Sequence, residues 1–584
     1  MGGTRLRKLL LGSALLLAVT SCGAPREDSW YPHYSTFWAR HHDRPIVFIH
    51  GFGGSFDTFR DAPFRLGLGS GRGLFYFGYE TGPFLERANH ISRVAADLRA
   101  FLDGNIFRHN AAARVDIIAH STGGLIARDY VANNPYSHRV NKLVLVGVPN
   151  YGAYWAFLKA EVLQRYASFY QGDLQAKELD YGSHSLFFLQ RRWDCLYAYR
   201  GWLEKQFPAS GEKGEKVDPA RLERWAEQRR ELVSIRKRNK ELEREKKPEQ
   251  PIPPDLQSLP SPPDCMFDNG FLGPEEAPHD GLVVLPKIIA AVGTKHGREA
   301  LFLRFSDGVV RWESGILDER FLDKHKKQGG EELPAIFYVD SAHWLEEGYF
   351  QAGSAEVLHI AWAFLQKGEK PRDRPPFVVP GGDPPGRPCA GEFEFGKLVE
   401  CYAPVRERVE GTVGVSAYWA RLTDHVAECR DALRESDPEV TIRLEDGGKD
   451  AEVASPLLET LLQGGPLRER RLFTNDSWIR YERYVRLGED ARGDPLKKRE
   501  FDLHVSIAPR AQTGQKIDFR AKVSLRRGRT AVVECLASRR ACYDLTADAG
   551  QDLYLSEVQK DDLKKHCQQG RLFTHPWVPP RAGP

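Results

Sequence analysis

Residues 114–129 read RVDIIAHSTGGLIARD, and this stretch decides the fold. Its first seven residues are apolar and β-branched enough for a buried strand, and TGGLIARD carries helical spacing. Between them stands Ser121. A serine at a sharp strand-to-helix turn is held in strained backbone geometry with its hydroxyl lifted above the sheet, and the turn is tight enough to need small residues at −2 and +2. Here they are Ala119 and Gly123. The next amide, that of Thr122, falls at a helix N-terminus, where the N–H groups face developing negative charge.

Outward from this turn, Arg44–His50 (RPIVFIH) reads as another buried strand. His50-Gly51-Phe52-Gly53-Gly54 follows it, where the Phe52 N–H is the candidate second donor and the glycines let backbone approach a substrate closely. Strand character recurs at 73–79, 140–148, 286–294 and 333–340. Helical stripes fall at 91–107, 122–132 and 354–366. Strands alternating with helices predict a parallel sheet covered on both faces.

At these residues the chain resembles an α/β-hydrolase of the bacterial lipase/esterase type. Similar lipases carry HG-x-GG near the start and AHS-x-GG at the elbow; Ala119 in place of the first glycine of G-x-S-x-G is a variant known in Bacillus-type lipases. Val148-Pro149-Asn150-Tyr151-Gly152 resembles their T-P-N-x-G segment, and Gly182-Ser183 with Leu186–Leu189 resembles GS-x-FL. The resemblance spans about residues 44–367. It implies a serine nucleophile, then an acid, then a histidine, in that chain order. His343, in the loop after the last strand, takes the place of the family's base. Two acids are open. Asp307 lies in an S-D-G-x-V loop after the strand KIIAAVGT, as in related lipases, while Asp280 (HDGLV) precedes that strand. Asp307-Gly308 between ALFLRF and VVRW is also a hairpin-turn signal. His120 reads as structural and His50 as positioning the oxyanion loop.

Residues 195–285 interrupt the pattern with a charged segment and a proline-rich stretch. Asp218-Pro219 is a helix start, and Leu222, Trp225, Ala226, Arg229, Leu232 and Val233 give a thin apolar stripe towards Lys247. Two readings stay open: a solvated helical excursion, or a cap over an active site whose basic ends approach anionic lipid headgroups. Residues 368–388, rich in Pro and Gly, read as a linker. Beyond them, 389–584 reads as a cysteine-containing α+β domain of unread role, because 501–507 and 517–525 alternate apolar and polar.

The N-terminus supplies an address. Arg5, Arg7 and Lys8 precede an apolar run from Leu9 to Thr20, too short to span a membrane, which needs about 20 residues. LAVTSC at 17–22 resembles a bacterial lipobox. This implies a lipoprotein signal peptide over 1–21, acyl chains on Cys22, a tether over 22–43, and a lipid anchor in the cell envelope at the outer membrane. Eight further cysteines in an exported chain suggest disulfides, and Cys195 and Cys265 bracket the insertion as a pair that would staple its base. No CxxC pair occurs, which speaks against zinc. With 83 Lys and Arg against 80 Asp and Glu over 584 residues, nothing global argues for nucleic acid. At 41% hydrophobic and 28% charged, the composition excludes a disordered chain, a fibre and a multi-span membrane protein.

The expectation is therefore a serine ester hydrolase, without metal or cofactor, acting on an ester or lipid substrate through Ser121, His343 and Asp307, with Phe52 and Thr122 as oxyanion donors. The alternatives are an acyltransferase on the same residues, and a non-catalytic surface lipoprotein that binds through 389–584.

Overall fold

The structure is a computed structural model. It describes residues 44–59, 62, 73–81, 90–153, 178–179, 183–209, 217–263, 265–268, 285–294, 306–310, 312–317, 335–343, 354–366, 394–398, 400–402, 415–424, 426–436, 438–451, 479–486, 498–510, 516–526, 530–544 and 555–580.

Among the described residues, six strands form one parallel sheet: β1 (Ile46–Ile49), β2 (Leu74–Phe77), β3 (Val115–His120), β4 (Val140–Val146), β5 (Lys287–Gly293) and β6 (Ala335–Val339), in the order β2-β1-β3-β4-β5-β6. Every pairing is parallel. The apolar runs have a direct cause, because successive residues of one strand feed different cores. Val47, Ile117, Leu143 and Leu145 pack on one face with helices α1 (Ile91–Leu102), α2 (Thr122–Asn133) and α3 (His184–Gln206). Phe48, Ile118, Val144 and Ile289 pack on the other, which a later helix (Ala355–Gln366) covers. Lys142, at the start of β4, is buried and donates to the Phe364 and Leu365 carbonyls at 3.0 and 2.8 Å, capping that helix where its carbonyls lack partners.

Within the insertion, Asp218 caps α4 (Pro219–Arg244), its carboxylate accepting from the Ala220 and Arg221 amides. The stripe buries Leu222, Trp225, Ala226, Arg229 and Leu232. Ile235, not Val233, completes it, and Val233 is half-buried. Trp225 packs on Trp202 and Phe207, at 5.2 and 5.6 Å between rings. Cys195 and Cys265 are bonded, as their bracketing positions suggested.

The covering helix is α5 (Ala355–Gln366). Residues 394–402, placed beyond the linker by sequence, pack here: Phe395, Leu398 and Tyr402 join the core under α5, and the Tyr402 hydroxyl donates to Glu356.

Among the described residues, two four-stranded sheets follow. β7 (Val415–Thr423), β10 (Ile479–Arg486), β13 (Thr530–Leu536) and β14 (Ala541–Asp544) are ordered β10-β7-β13-β14. β8 (Glu439–Asp446), β9 (Lys449–Asp450), β11 (Lys498–Ala508) and β12 (Ile517–Arg526) are ordered β12-β11-β8-β9. Leu444, Phe501, Leu503, Val505, Val523 and Val533 share one core with α6 (Ala427–Glu435) and α7 (Glu557–Gln568). Cys429–Cys567 ties these two helices, and Cys535–Cys542 bridges β13 and β14. No helix among the described residues is long and apolar enough to cross a membrane.

Candidate active site

Ser121 stands between β3 and α2 with φ 52° and ψ −127°. A non-glycine residue in this region is strained, and the surroundings must impose it. They do so through close packing. A Cβ on Gly123 would stand 2.4 Å from the His50 carbonyl oxygen and 2.6 Å from that of Ile49; one on Gly124 would stand 2.2 Å from a Val148 methyl. The Gly-Gly pair thus lets α2 start against the ends of β1 and β4, with the Ser121 amide donating to Val146 O at 2.9 Å. Thr122 is the first residue of α2 and wholly buried.

The loop after β1 lies directly over the serine, since a Cβ on Gly51 would come within 2.5 Å of Ser121 Cβ. Gly51–Gly54 is a turn closed by the Gly54 amide on the Gly51 carbonyl at 3.0 Å, with Gly53 at φ +67°, a conformation that favours glycine. Tyr79, just past β2, clamps this loop. Its ring stacks on His50 at 4.3 Å, its hydroxyl donates to His50 O at 3.0 Å, and its amide donates to His50 Nε2 at 3.2 Å. The Gly53 amide reaches Thr81 Oγ1 at 3.3 Å. His50 Nδ1 in turn donates to Gly51 O at 3.0 Å, and burial pushes this imidazole down to about 4, so it is held neutral.

The structure brings Ser121, His343 and Asp307 together. Ser121 Oγ donates to His343 Nε2 at 2.9 Å, and His343 Nδ1 donates to Asp307 Oδ2 at 2.7 Å. A carboxylate oxygen that accepts from Nδ1 sets the tautomer, leaving Nε2 to take the serine proton. All three side chains are buried. The second oxygen of Asp307 accepts from the Val309 and Val310 amides at 3.0 and 2.7 Å, which fixes the carboxylate. Among the described residues, the Asp307-Gly308 turn is followed by a helical turn at Trp312–Gly315 rather than by a strand, and the segment ALFLRF before it lies outside them. The turn instead aims Asp307 at His343, whose amide donates to Asp307 O at 2.8 Å.

His120 lies beside the cluster, its ring 4.7 Å from that of His343. Burial, then the neighbouring His343 and His50, push it well below the usual histidine range. Asp280 and Cys22 lie outside the described residues. Sequence reasoning missed Tyr79, whose signal was only an aromatic closing GLFYFGY. It also missed Glu178, whose buried carboxylate accepts from the Ile91 amide at 2.9 Å and from the Ser185 hydroxyl at 2.7 Å, joining the starts of α1 and α3.

A parallel sheet of this order, with a serine at the strained turn after its third strand, is the architecture of the α/β-hydrolase fold. Residues 44–252 match the family model described as alpha/beta hydrolase fold. Among solved structures it is similar to the phospholipase PlaB from Legionella pneumophila, at 14% identity and a TM-score of 0.42, over 88% of this chain and 98% of that one. It is also similar to the lipase BlEst2 from Bacillus licheniformis in mature form, at 13% identity and a TM-score of 0.25, over 53% and 86%. Neither likeness bears on the substrate of this chain. No curated protein matches the sequence.

Proposed function

We propose that the protein is a serine ester hydrolase that cleaves carboxylic esters through an acyl-enzyme on Ser121. The observation that carries this reading is the buried chain of hydrogen bonds from Ser121 Oγ through His343 to Asp307, built on a strained turn. His343 Nε2 takes the hydroxyl proton as Ser121 Oγ bonds to the ester carbonyl carbon. The carbonyl oxygen becomes an oxyanion, held by the Phe52 and Thr122 amides. Collapse of this intermediate expels the alcohol, which His343 protonates. Water, deprotonated by His343, then attacks the acyl-enzyme and frees the acid. Asp307 fixes the His343 tautomer and stabilises the imidazolium that forms.

In this reading the substrate is a lipid or another apolar ester met at a membrane, and Cys22 carries the anchor that keeps the enzyme there, in the bacterial envelope. The test is labelling with a fluorophosphonate probe. Wild-type protein should label and hydrolyse p-nitrophenyl butyrate, and Ser121→Ala should do neither. Labelling or hydrolysis retained by Ser121→Ala would overturn the mechanism. Fractionation of Cys22→Ser tests the anchor separately, since that change should move the protein from membranes to the soluble fraction.

A further inference from the structure

A second buried polar network, which no step of the reaction uses, joins the nucleophile helix to the acid segment. Arg128 lies about two turns along α2 from Ser121 and is buried. Its Nη1 donates to Asn150 Oδ1 at 2.7 Å, and its Nη2 to Gln190 Oε1 at 2.9 Å. Its guanidinium stands 5.4 Å over the Trp193 ring, whose indole N–H donates back to Arg128 O at 3.1 Å. A guanidinium only donates, so Arg128 dictates which way the Asn150 amide faces. Nδ2 must then point away from it, and it donates to the carbonyls of Gly315 at 3.1 Å and Ile316 at 3.4 Å.

The rest of the 150–151 segment grips the same stretch. The Asn150 amide donates to Ser314 O at 3.0 Å, the Tyr151 amide to Ser314 Oγ at 3.2 Å, and the Tyr151 hydroxyl to Leu317 O at 2.9 Å. These partners all lie in residues 314–317, just C-terminal to the Asp307 turn. Asp307 and His343 are already tied to each other through the His343 amide and the Asp307 carbonyl. The Asn150 bridge ties that pair to the helix that begins at Ser121.

We propose that Asn150, oriented by Arg128 and seconded by Tyr151, is a positioning residue that holds Asp307 in register with Ser121. The proposal rests on the serine-hydrolase reading and deepens it. Proton transfer needs His343 Nε2 within hydrogen-bond reach of the serine, and a shift of about 1 Å between the two elements costs on the order of 100-fold in rate. A buried amide donor between two carbonyls is expensive to lose, because both acceptors are left without their partner.

The test uses the full-length protein in detergent and steady-state hydrolysis of p-nitrophenyl butyrate. Asn150→Asp keeps the side-chain shape and the bond to Arg128 but turns an oxygen toward the Gly315 and Ile316 carbonyls. The expected result is a kcat lower by about 10- to 100-fold, with KM within about threefold of wild type. In an Asp307→Ala background the same change should cost less than about threefold, because a residue acting through Asp307 has nothing left to position. An unchanged kcat, or an equal loss with and without Asp307, would overturn the proposal. If Asn150→Asp does not fold, Tyr151→Phe carries the test: it deletes one hydroxyl of a half-buried side chain, and its loss of kcat should likewise disappear in Asp307→Ala. No loss in Tyr151→Phe would overturn the bridge. A wild-type rate in Asp307→Ala alone would instead sink the assignment of the acid, which is a separate result.

Discussion

The two halves of the molecule handle their sheets in opposite ways. In the hydrolase domain all six residues of β3 are buried, because both faces of the sheet are covered. In the C-terminal domain β11 alternates: Phe501, Leu503, Val505 and Ile507 turn into the core, while Glu500 and Asp502 stay exposed. A sheet covered on both faces has nowhere to display chemistry except beyond its strand ends. The HGFGG loop follows β1, Ser121 follows β3, the Asp307 turn follows β5 and His343 follows β6, so four carboxyl ends converge on one site. The open face of the other sheet displays ion pairs instead, such as Lys522 with Glu500 at 3.7 Å. Exposed pairs of this kind contribute about 0–1 kcal/mol each.

The comparison breaks most sharply if activity does not sit at those strand ends. Ser121→Ala should lower kcat by at least ~10³-fold, toward what the oxyanion donors alone supply, while the thermal transition stays near that of wild type. Gly51→Ala comes next. Its Cβ would meet Ser121 Cβ at 2.5 Å and the His120 carbonyl oxygen at 3.2 Å, so the loop after β1 must move. The expected loss is about 100-fold, falling on kcat rather than KM. A Gly51→Ala enzyme with wild-type kcat would show that the loop is not where the charge develops.

The same difference explains what could be read from the sequence. The hydrolase sheet was legible strand by strand, because each strand is a short apolar run closed by a turn and followed by its helix. Ser121 and His343 followed from their positions at strand ends. Chain order alone left Asp307 and Asp280 both open; the hydrogen bond to His343 is a property of three-dimensional placement that no local pattern encodes. The C-terminal sheets were mostly illegible. β10 reads IRYERYVR, whose charges hide the strand, and β7 pairs in parallel with β13 across a long stretch of intervening chain. The alternation of β11 and β12 showed because they are neighbours along the chain, pairing from Lys498 with Arg526 to Ile507 with Ile517. Tyr79 was invisible for another reason: its role depends on β2 lying beside β1.

Non-local closure makes the C-terminal core depend on its cross-links. Cys429–Cys567 closes a sequence separation of 138 residues, against 7 for Cys535–Cys542. Chain entropy puts the first at about 5 kcal/mol and the second at about 2 kcal/mol. Calorimetry of Cys429→Ser with Cys567→Ser should show the larger fall in thermal stability, and Cys535→Ser with Cys542→Ser the smaller. Ester hydrolysis at 25 °C should survive both. Loss of hydrolysis along with the Cys429–Cys567 bond would mean that the two halves do not divide the work as their sheets suggest.

The smallest effect separates buried titratable groups on the hydrolase side from the solvated pairs of the other half. Unfolded, a histidine takes its proton near 6.5; folded, His50 takes it only near 4 because burial opposes the charge. Between these values the unfolded chain binds more protons, so stability is present above about 6.5 and lost as pH falls through about 4. The ceiling for His50 is about 3 kcal/mol. His120 is shifted in the same direction. Asp129 works the other way: burial raises it from 3.8 to about 6, so its contribution is present below 3.8 and lost as pH rises through about 6. Melting temperatures between pH 4 and 6.5 resolve these opposed contributions. His50→Gln should flatten the loss of stability on acidification, and Asp129→Asn should steepen it. If His50→Gln loses as much stability on acidification as wild type, His50 is not held neutral by the fold, and the clamp that Tyr79 places on the loop after β1 is looser than its two hydrogen bonds imply.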